Sequence, residues 1–174
     1  MNSLFIYLFL MEIQIATAED LVPIMKTIDA ARQIMRKNGN TTQWINGYPS
    51  KELILNDIIS GCGFVCIENN KVAGYFCFTK GNAPEPTYTV IENGMWLNDK
   101  PYGVVHRLAS DGTTKGVANA CFDYCFSQIN NMRVDTNHNN LPMQNFLKKY
   151  GFSYCGIIYV DDRSPRDAFQ MEVG

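Results

Sequence analysis

Runs of alternating apolar residues and segments of helical periodicity divide the chain into regular elements. Apolar residues alternate with polar ones over 13–15, which predicts a first strand. The spacing of apolar residues over 21–35 predicts a helix whose apolar residues lie on one face. A second, shorter helix begins after Ser50, a favourable N-cap residue. The runs 63–68 and 72–79, joined by a short polar turn, predict an antiparallel hairpin.

The second half of the chain continues this alternation after a proline-rich stretch, part of which, about 87–91, we expect to be ordered. It predicts, in order, a strand over 104–109, a glycine turn over 110–118 that leads into a helix, a strand over 132–136, a helix over 141–150, a strand over 153–160 and a last strand over 168–172 at the sheet edge. The order β-α-α-β-β-β-α-β-α-β-β predicts an α/β fold, a mixed sheet of about six to seven strands with helices on both faces.

Length and charge narrow the class of protein further. The chain has 174 residues, 46% of them hydrophobic, which is the size and composition of one globular domain, assigned here to residues 11–174. The formal net charge is −2, so we expect neither a nucleic acid nor an anionic membrane as a partner.

Residues 1–10 form an apolar N-terminal extension that is too short to span a membrane. They lack the basic region and the small-residue cleavage site of a secretory signal. Two interpretations stay open. Met11 is the true start and the extension lies upstream of it, or the extension is an arm that covers a neighbouring subunit in a homodimer.

Six cysteines lie inside apolar runs, at Cys62, Cys66, Cys77, Cys121, Cys125 and Cys155. In such surroundings a cysteine behaves as a small buried hydrophobic residue. The chain has no C-x-x-C pair and only two histidines, so the sequence predicts no metal site. We expect six reduced thiols, which indicates a cytoplasmic protein.

The segment Thr113–Ala118 lies between a predicted strand and the first turn of a predicted helix. Unpaired backbone N–H groups and the positive end of the helix dipole favour an anion at such a place. Gly116 lets a ligand approach the backbone without a Cβ in the way, while Lys115 and two threonine hydroxyls add polar contacts. The segment lacks the glycines of a P-loop. It is either a phosphate site or a plain structural turn.

The same segment, Thr113-Thr114-Lys115-Gly116-Val117-Ala118, resembles the pyrophosphate loop Q/R-x-x-G-x-G/A of the GNAT superfamily of acetyl-CoA-dependent N-acetyltransferases. It matches at the glycine and at the final alanine, and has Thr113 where Gln or Arg is usual. The stretch from Asn140 to Gly151-Phe152 is similar in spacing to the family's N-x-x-A segment and terminal G-F. The element order also agrees with the family over nearly the whole chain.

The resemblance implies that acetyl-CoA lies in a gap where the strand 104–109 and the strand 132–136 splay apart. Pantetheine would pair with the backbone of 108–110, the pyrophosphate would lie on the amides of 113–118, and Asn140 would flank the cofactor's far arm. The implied cofactor-binding residues are Leu108, Ala109, Ser110, Thr113, Thr114, Lys115, Gly116, Val117, Ala118 and Asn140.

Chemistry in this family is direct attack of an amine on the thioester, with a backbone N–H near Leu108 or Ala109 for the developing oxyanion. His106 begins the central strand and suits the task of accepting a proton from an ammonium substrate. It is otherwise a hydrogen-bonded structural histidine, and the base is then Asp135, Glu85 or solvent.

Leu147 stands where many family members have the tyrosine that protonates the leaving thiolate. The resemblance therefore implies another donor, Tyr159, or water. Tyr150 is expected to pack, and His138 to lie on the surface. Arg166 either forms a surface ion pair or meets a carboxylate of the substrate.

These observations predict an N-acetyltransferase that transfers the acetyl group of acetyl-CoA to a primary amine, on a small molecule or a peptide, in a ternary complex. Leu147 keeps a second possibility open, a non-catalytic acyl-CoA-binding regulatory module of the same fold. A third is an interaction protein that assembles through its apolar N-terminal arm and its aromatic loops.

Overall fold

The computed structural model describes residues 11–174, so the apolar extension and its predicted role as an arm lie outside the described residues. The helices and strands follow one another in the predicted order. They are β1 (Glu12–Ile15), α1 (Leu21–Lys37), α2 (Lys51–Ile59), β2 (Gly63–Glu68), β3 (Lys71–Gly81), β4 (Tyr102–Ser110), α3 (Val117–Gln128), β5 (Asn131–Thr136), α4 (Leu141–Tyr150), β6 (Ser153–Tyr159) and β7 (Pro165–Glu172). Short 3₁₀ turns precede α1 (Ala18–Asp20) and occupy the proline-rich stretch (Pro86–Thr89).

The strands form one sheet in the order β1-β2-β3-β4-β5-β7-β6, in which only β4 and β5 pair in parallel. The prediction that the last strand lies at the edge is wrong, because β7 lies between β5 and β6 and leaves β6 at the edge. The run Ala168–Phe169–Gln170 is fully buried, as expected of a strand that is covered on both faces.

Helices cover both faces of the sheet, as predicted, and the alternation of side chains along β2 shows how the core is divided. Val65 packs with Ile28 of α1 and Ile54 of α2. Its neighbours Phe64 and Cys66 point to the opposite face and pack with residues of α3 and α4. The domain therefore has one hydrophobic layer on each side of the sheet.

The central strands β4 and β5 separate soon after they meet. They pair only at Gly103 with Met132 and at Val104 with Arg133. A Cβ at Gly103 would collide with the Met132 sulfur and the Phe78 ring, so the glycine permits the close approach at this point. Beyond these two pairs the strands diverge, which confirms the predicted splayed pair and opens a gap beside the second half of β4.

A β-bulge in β4 lies beside this gap. Tyr75 of β3 pairs with Ala109, and Cys77, two residues further along β3, pairs with His106. Arg107 and Leu108 therefore stand opposite a single residue of β3. Arg107 has a φ of 57°, in the left-handed region, and this turn of the backbone reorients the side chains on either side of it.

Candidate functional site

A cavity of about 240 Å³ lies at the splayed end of β4. Its walls come from the C-terminal half of α1, the end of β4, and the first turns of α3 and α4. Five of the ten residues that the resemblance assigns to the cofactor line it: Leu108, Ser110, Val117, Ala118 and Asn140. Most of the other lining side chains are apolar, among them Ile34, Met35, Met143 and Phe146. The cavity can therefore hold an apolar part of a ligand.

The turn before α3 is organised by a carboxylate that our sequence analysis missed. Asp111 Oδ1 accepts hydrogen bonds from the backbone N–H groups of Thr113 at 2.9 Å and Thr114 at 2.8 Å, and Oδ2 accepts one from the Thr114 hydroxyl. Partial burial works against ionisation, but the hydrogen bonds from Thr114 and Thr113 prevail and lower the pKa of Asp111. Two of the amides predicted to hold pyrophosphate are thus already engaged.

The rest of the turn is open to a ligand. Val117 begins α3, and the first N–H groups of a helix have no acceptor within the helix. Gly116 has a φ of 86°, and a Cβ built there would meet no atom within 4 Å. The open space over Gly116, together with the backbone amides at the start of α3, fits a diphosphate that approaches the backbone closely. The residues present thus fit the coenzyme that the resemblance implies.

Asn140 has two contacts at the far side of the cavity. Its side chain caps α4 by accepting from the Met143 N–H at 3.3 Å, and its amide donates to Gln43 Oε1 at 3.1 Å. Gln43 lies in the segment between α1 and α2, whose backbone carbonyls Arg36 holds through bonds to Asn40, Gln43 and Trp44. This segment is therefore fastened to the start of α4 across the mouth of the gap.

His106 is paired with a carboxylate. Its Nε2 lies 2.8 Å from Glu85 Oε2, and both side chains are partly accessible, at 26% and 18%. The hydrogen bond from His106, together with those from Thr87, holds the pKa of Glu85 at about 2 despite partial burial. Glu85 is therefore ionised at neutral pH and acts as an acceptor, so the neutral His106 ring carries its proton on Nε2 and its lone pair on Nδ1.

A second carboxylate, Asp135, lies at the end of β5. Burial raises its pKa, against the hydrogen bond from Tyr88 and the nearby charges of His106 and Arg166. Tyr88 is buried, and its hydroxyl donates to Asp135 Oδ1 at 2.6 Å. Arg166 Nε lies 4.0 Å from Asp135 Oδ2, so Arg166 forms an ion pair with a largely buried carboxylate of the fold. These groups form one polar cluster beside His106.

The remaining candidates lie away from this cluster. Tyr159 lies on the edge strand β6, which β5 and β7 separate from β4. Its hydroxyl donates to Glu92 Oε2 at 3.0 Å. Leu147 is fully buried in the core. Tyr150 packs against Phe122 and Phe126 and donates to Asp123. The structure therefore places Tyr159 on the third strand from that of His106, with its hydroxyl paired to Glu92.

His138 is the second histidine of the chain and lies on the surface, with 82% of its side chain accessible. Its Nδ1 is 3.0 Å from Asp167 Oδ2. No helix within residues 11–174 is long and apolar enough to cross a bilayer.

Comparison with known proteins gives a consistent result at the level of structure. No protein-family model matches the sequence, and no curated protein matches it. A GNAT-family acetyltransferase from Streptococcus agalactiae is 32% identical, over 94% of this chain and 96% of that one, with a TM-score of 0.85. A GNAT-family acetyltransferase from Listeria monocytogenes is 16% identical, with coverages of 94% and 95% and a TM-score of 0.66. The Bacillus subtilis N-acetyltransferase YlbP, solved in complex with coenzyme A, is 13% identical, with coverages of 94% and 97% and a TM-score of 0.57.

Proposed function

Because this chain belongs to the GNAT family of acetyltransferases, we propose that it transfers the acetyl group of acetyl-CoA to a primary amine by direct attack in a ternary complex. The observation that carries the proposal is the cavity at the splayed end of β4. It is lined by Leu108, Ser110, Val117, Ala118 and Asn140, and Leu108 lies two residues after His106 on the same strand. The acceptor is a small-molecule or peptide amine.

Ten residues would hold the coenzyme. The backbone of Leu108, Ala109 and Ser110 borders the gap and suits an amide-containing arm, because β5 has turned away from it. The backbone amides from Lys115 to Ala118, at the start of α3, suit the diphosphate, while Thr113 and Thr114 act through the turn that Asp111 stabilises. Asn140 closes the far side. Bound acetyl-CoA supplies the thioester carbonyl that the amine attacks and a thiolate that leaves readily.

His106 accepts the proton of the incoming ammonium at Nδ1, the nitrogen that Glu85 leaves free. Glu85 fixes the orientation of the ring and lies close enough to stabilise the imidazolium once it forms. Asp135 is less suited to this task, because Tyr88 already donates to it and its side chain is largely buried. The bulge interrupts the regular β3–β4 ladder at Arg107 and Leu108, which supports a backbone N–H near Leu108 as the donor to the oxyanion that develops on the carbonyl.

The leaving thiolate has no tyrosine donor at the usual family position, because Leu147 lies there in the core. Tyr159 is held by Glu92 on the edge strand, so we assign this proton to water. The same leucine motivates the second candidate function, a non-catalytic acyl-CoA-binding module. The two differ in one observable. Only the enzyme releases free thiol from acetyl-CoA when amines are added.

The test is the pH dependence of kcat/KM, with the best amine from a thiol-release screen, for the wild type, His106→Gln and His138→Gln. The chain has no other histidines, and His138 lies on the surface, so His138→Gln is the matched control. We expect His106→Gln to lower kcat/KM by about 10²–10⁴-fold and to lose the acidic limb, with CoA affinity unchanged. If His106→Gln keeps both the rate and the acidic limb, His106 is structural.

A further inference from the structure

A pair of thiols lies outside the cavity, where α2 ends and β2 begins. Cys62 Sγ is 3.3 Å from Cys77 Sγ, with the Cys77 thiol as donor. Cys77 is buried, at 2% exposure, whereas Cys62 is partly accessible. The Cys62 thiol also contacts Asp57 of α2, at 3.5 Å from its carbonyl oxygen and 3.9 Å from Oδ1. The two sulfurs therefore differ in access to solvent although they touch.

The backbone holds both cysteines in this position. The Cys62 N–H donates to the Asp57 carbonyl at 3.0 Å, and the Phe78 N–H donates to the Cys62 carbonyl at 2.8 Å. On the next residue, Gly63 of β2 is the register partner of Cys77 on β3. The contact between the sulfurs is thus set by the β2–β3 ladder and by the end of α2, and it does not depend on a flexible loop.

Asp57, Cys62 and Cys77 offer three ligand atoms within 4.8 Å of one another, which is a geometry that a metal ion could use. The surroundings oppose a cation. Both Asp57 oxygens accept from the Arg107 guanidinium, at 2.8 and 2.7 Å, and Oδ2 also accepts from the Tyr75 hydroxyl. A divalent ion would meet a buried positive charge at contact distance and a carboxylate whose lone pairs are occupied.

We propose that Cys62 and Cys77 are a redox-modification site, which hydrogen peroxide converts from two thiols to a disulfide. An S–S bond is about 2.05 Å long, so each sulfur has to move by roughly 0.6 Å from the observed contact. The paired strands already hold the two side chains side by side. The site goes beyond the acetyl-transfer proposal and does not depend on it.

The difference in exposure sets the order of the two steps. Cys62 meets the oxidant first. The Cys62 sulfur attacks one peroxide oxygen, the O–O bond breaks, and the proton of the Cys62 thiol joins the released hydroxide, so the products are the Cys62 sulfenic acid and one water. The Cys77 sulfur then attacks Cys62 Sγ, the S–O bond breaks, and the Cys77 proton leaves with the hydroxyl group as a second water. Two thiols and one peroxide thus give one disulfide and two waters.

None of the other four thiols both contacts a second sulfur and has an accessible partner in that contact. Cys121 and Cys125 are one helical turn apart on α3, but both are fully buried, and so is Cys66. Burial raises the pKa of the Cys66 and Cys121 thiols, and also that of the Cys77 thiol, so Cys77 differs from the other buried thiols by its contact with the accessible Cys62 sulfur. Cys155 is buried at 5% exposure, and its thiol donates to the Ser153 carbonyl.

The two cysteines lie next to the proposed site, because Cys77 is on β3, the strand that pairs with β4. Cys77 is the register partner of His106, and Asp57, which Cys62 contacts, holds Arg107 at the bulge. Oxidation therefore modifies β3 at the residue that pairs with the proposed base, His106. Because the consequence for activity depends on the proposed function, the experiment below measures the covalent product and not the rate.

The test treats the full-length protein with hydrogen peroxide, denatures it in iodoacetamide, and maps the unreduced peptides by mass spectrometry. We expect a Cys62–Cys77 crosslinked peptide, lighter by two hydrogens, that dithiothreitol reverses, with the other four cysteines alkylated. Cys62→Ser should abolish the crosslink and leave Cys77 alkylated. Cys121→Ser, the matched control on a buried thiol, should crosslink like the wild type.

Three results overturn the proposal: alkylation of both Cys62 and Cys77 after peroxide treatment, conversion of Cys62 to the sulfinic acid without a crosslink, or a crosslink that forms first between other cysteines. Retention of stoichiometric zinc through dialysis, with protection of both thiols from peroxide, would also overturn it in favour of a metal cluster. If Cys62→Ser does not fold, the wild-type peptide map still decides, because it needs no variant.

Discussion

The turn at Gly116 allows the placement of the coenzyme to be tested by charge alone. We compare Gly116→Glu with Gly116→Gln, which has almost the same shape and lacks the charge. Both variants carry the same backbone penalty, roughly 1–2 kcal/mol, because Gly116 has a φ of 86° and any side chain is strained there. Both also fill the open space over the turn. The difference between them therefore reports the charge.

The size of that difference follows from Coulomb's law. A carboxylate at about 5 Å from a diphosphate of charge −2, in surroundings as polar as water, is repelled by about 1.7 kcal/mol. CoA should then bind roughly 15-fold more weakly to Gly116→Glu than to Gly116→Gln at low salt. In about 0.15 M salt the Debye length of about 8 Å reduces the repulsion to about 0.9 kcal/mol, or roughly fivefold.

Isothermal titration calorimetry with CoA at the two salt concentrations measures both values. Gly61→Glu is the matched control, because Gly61 also has a positive φ and open space around it but lies at the end of α2, away from the cavity. Its CoA affinity should equal that of the wild type. Equal affinities of folded Gly116→Glu and Gly116→Gln at low salt would refute the placement of the diphosphate on this turn.

Two further predictions concern stability. The pKa of Glu85 is lowered from 4.5 to about 2, so its pairing stabilises the fold fully above pH 4.5 and this contribution is lost as the pH falls towards 2. Because solvent reaches the pair and weakens the interaction, urea unfolding should show the wild type to be more stable than Glu85→Gln by about 1–2 kcal/mol at neutral pH. The same difference in unfolding free energy at pH 2 would contradict this. Arg107→Leu leaves Asp57 buried without its cation and should lower the unfolding free energy by about 3–5 kcal/mol, partly restored by adding Asp57→Asn; a loss below about 1 kcal/mol would argue against a buried pair.

The element order could be predicted from the sequence because it depends on local periodicity and on turn residues. Asn69 and Asn70, for example, both have positive φ and connect β2 to β3, a conformation that asparagine tolerates well. The position of β7 could not be predicted in this way. A strand of mixed polar and apolar residues fits an edge as well as an interior place, and what decides is its pairing with both β5 and β6.

The candidate site shows the same division between local and distant signals. Gly116 and Asn140 stand out in the sequence because glycine turns and N-caps are local features. Asp111 was missed although the dipeptide Asp111-Gly112 is a turn signal and its carboxylate organises the predicted anion site. Glu85 was named only as an alternative base, because no short-range pattern joins it to His106, 21 residues later.

The bulge in β4 explains why an expensive ion pair lies beneath the site. A left-handed arginine in a strand costs about 1–3 kcal/mol, and burying Asp57 with Arg107 adds little net stability compared with apolar residues of the same size. What the pair achieves is position. Asp57, on α2, accepts both hydrogen bonds from the Arg107 guanidinium. It thereby holds in place the residue whose left-handed backbone lies between His106 and Leu108. Without the bulge, His106 and Leu108 would be alternate residues of a regular strand and would face the same side. With it, Leu108 faces the cavity while His106 meets Glu85, so the ion pair fixes the relative placement of the proposed base and the proposed cofactor gap.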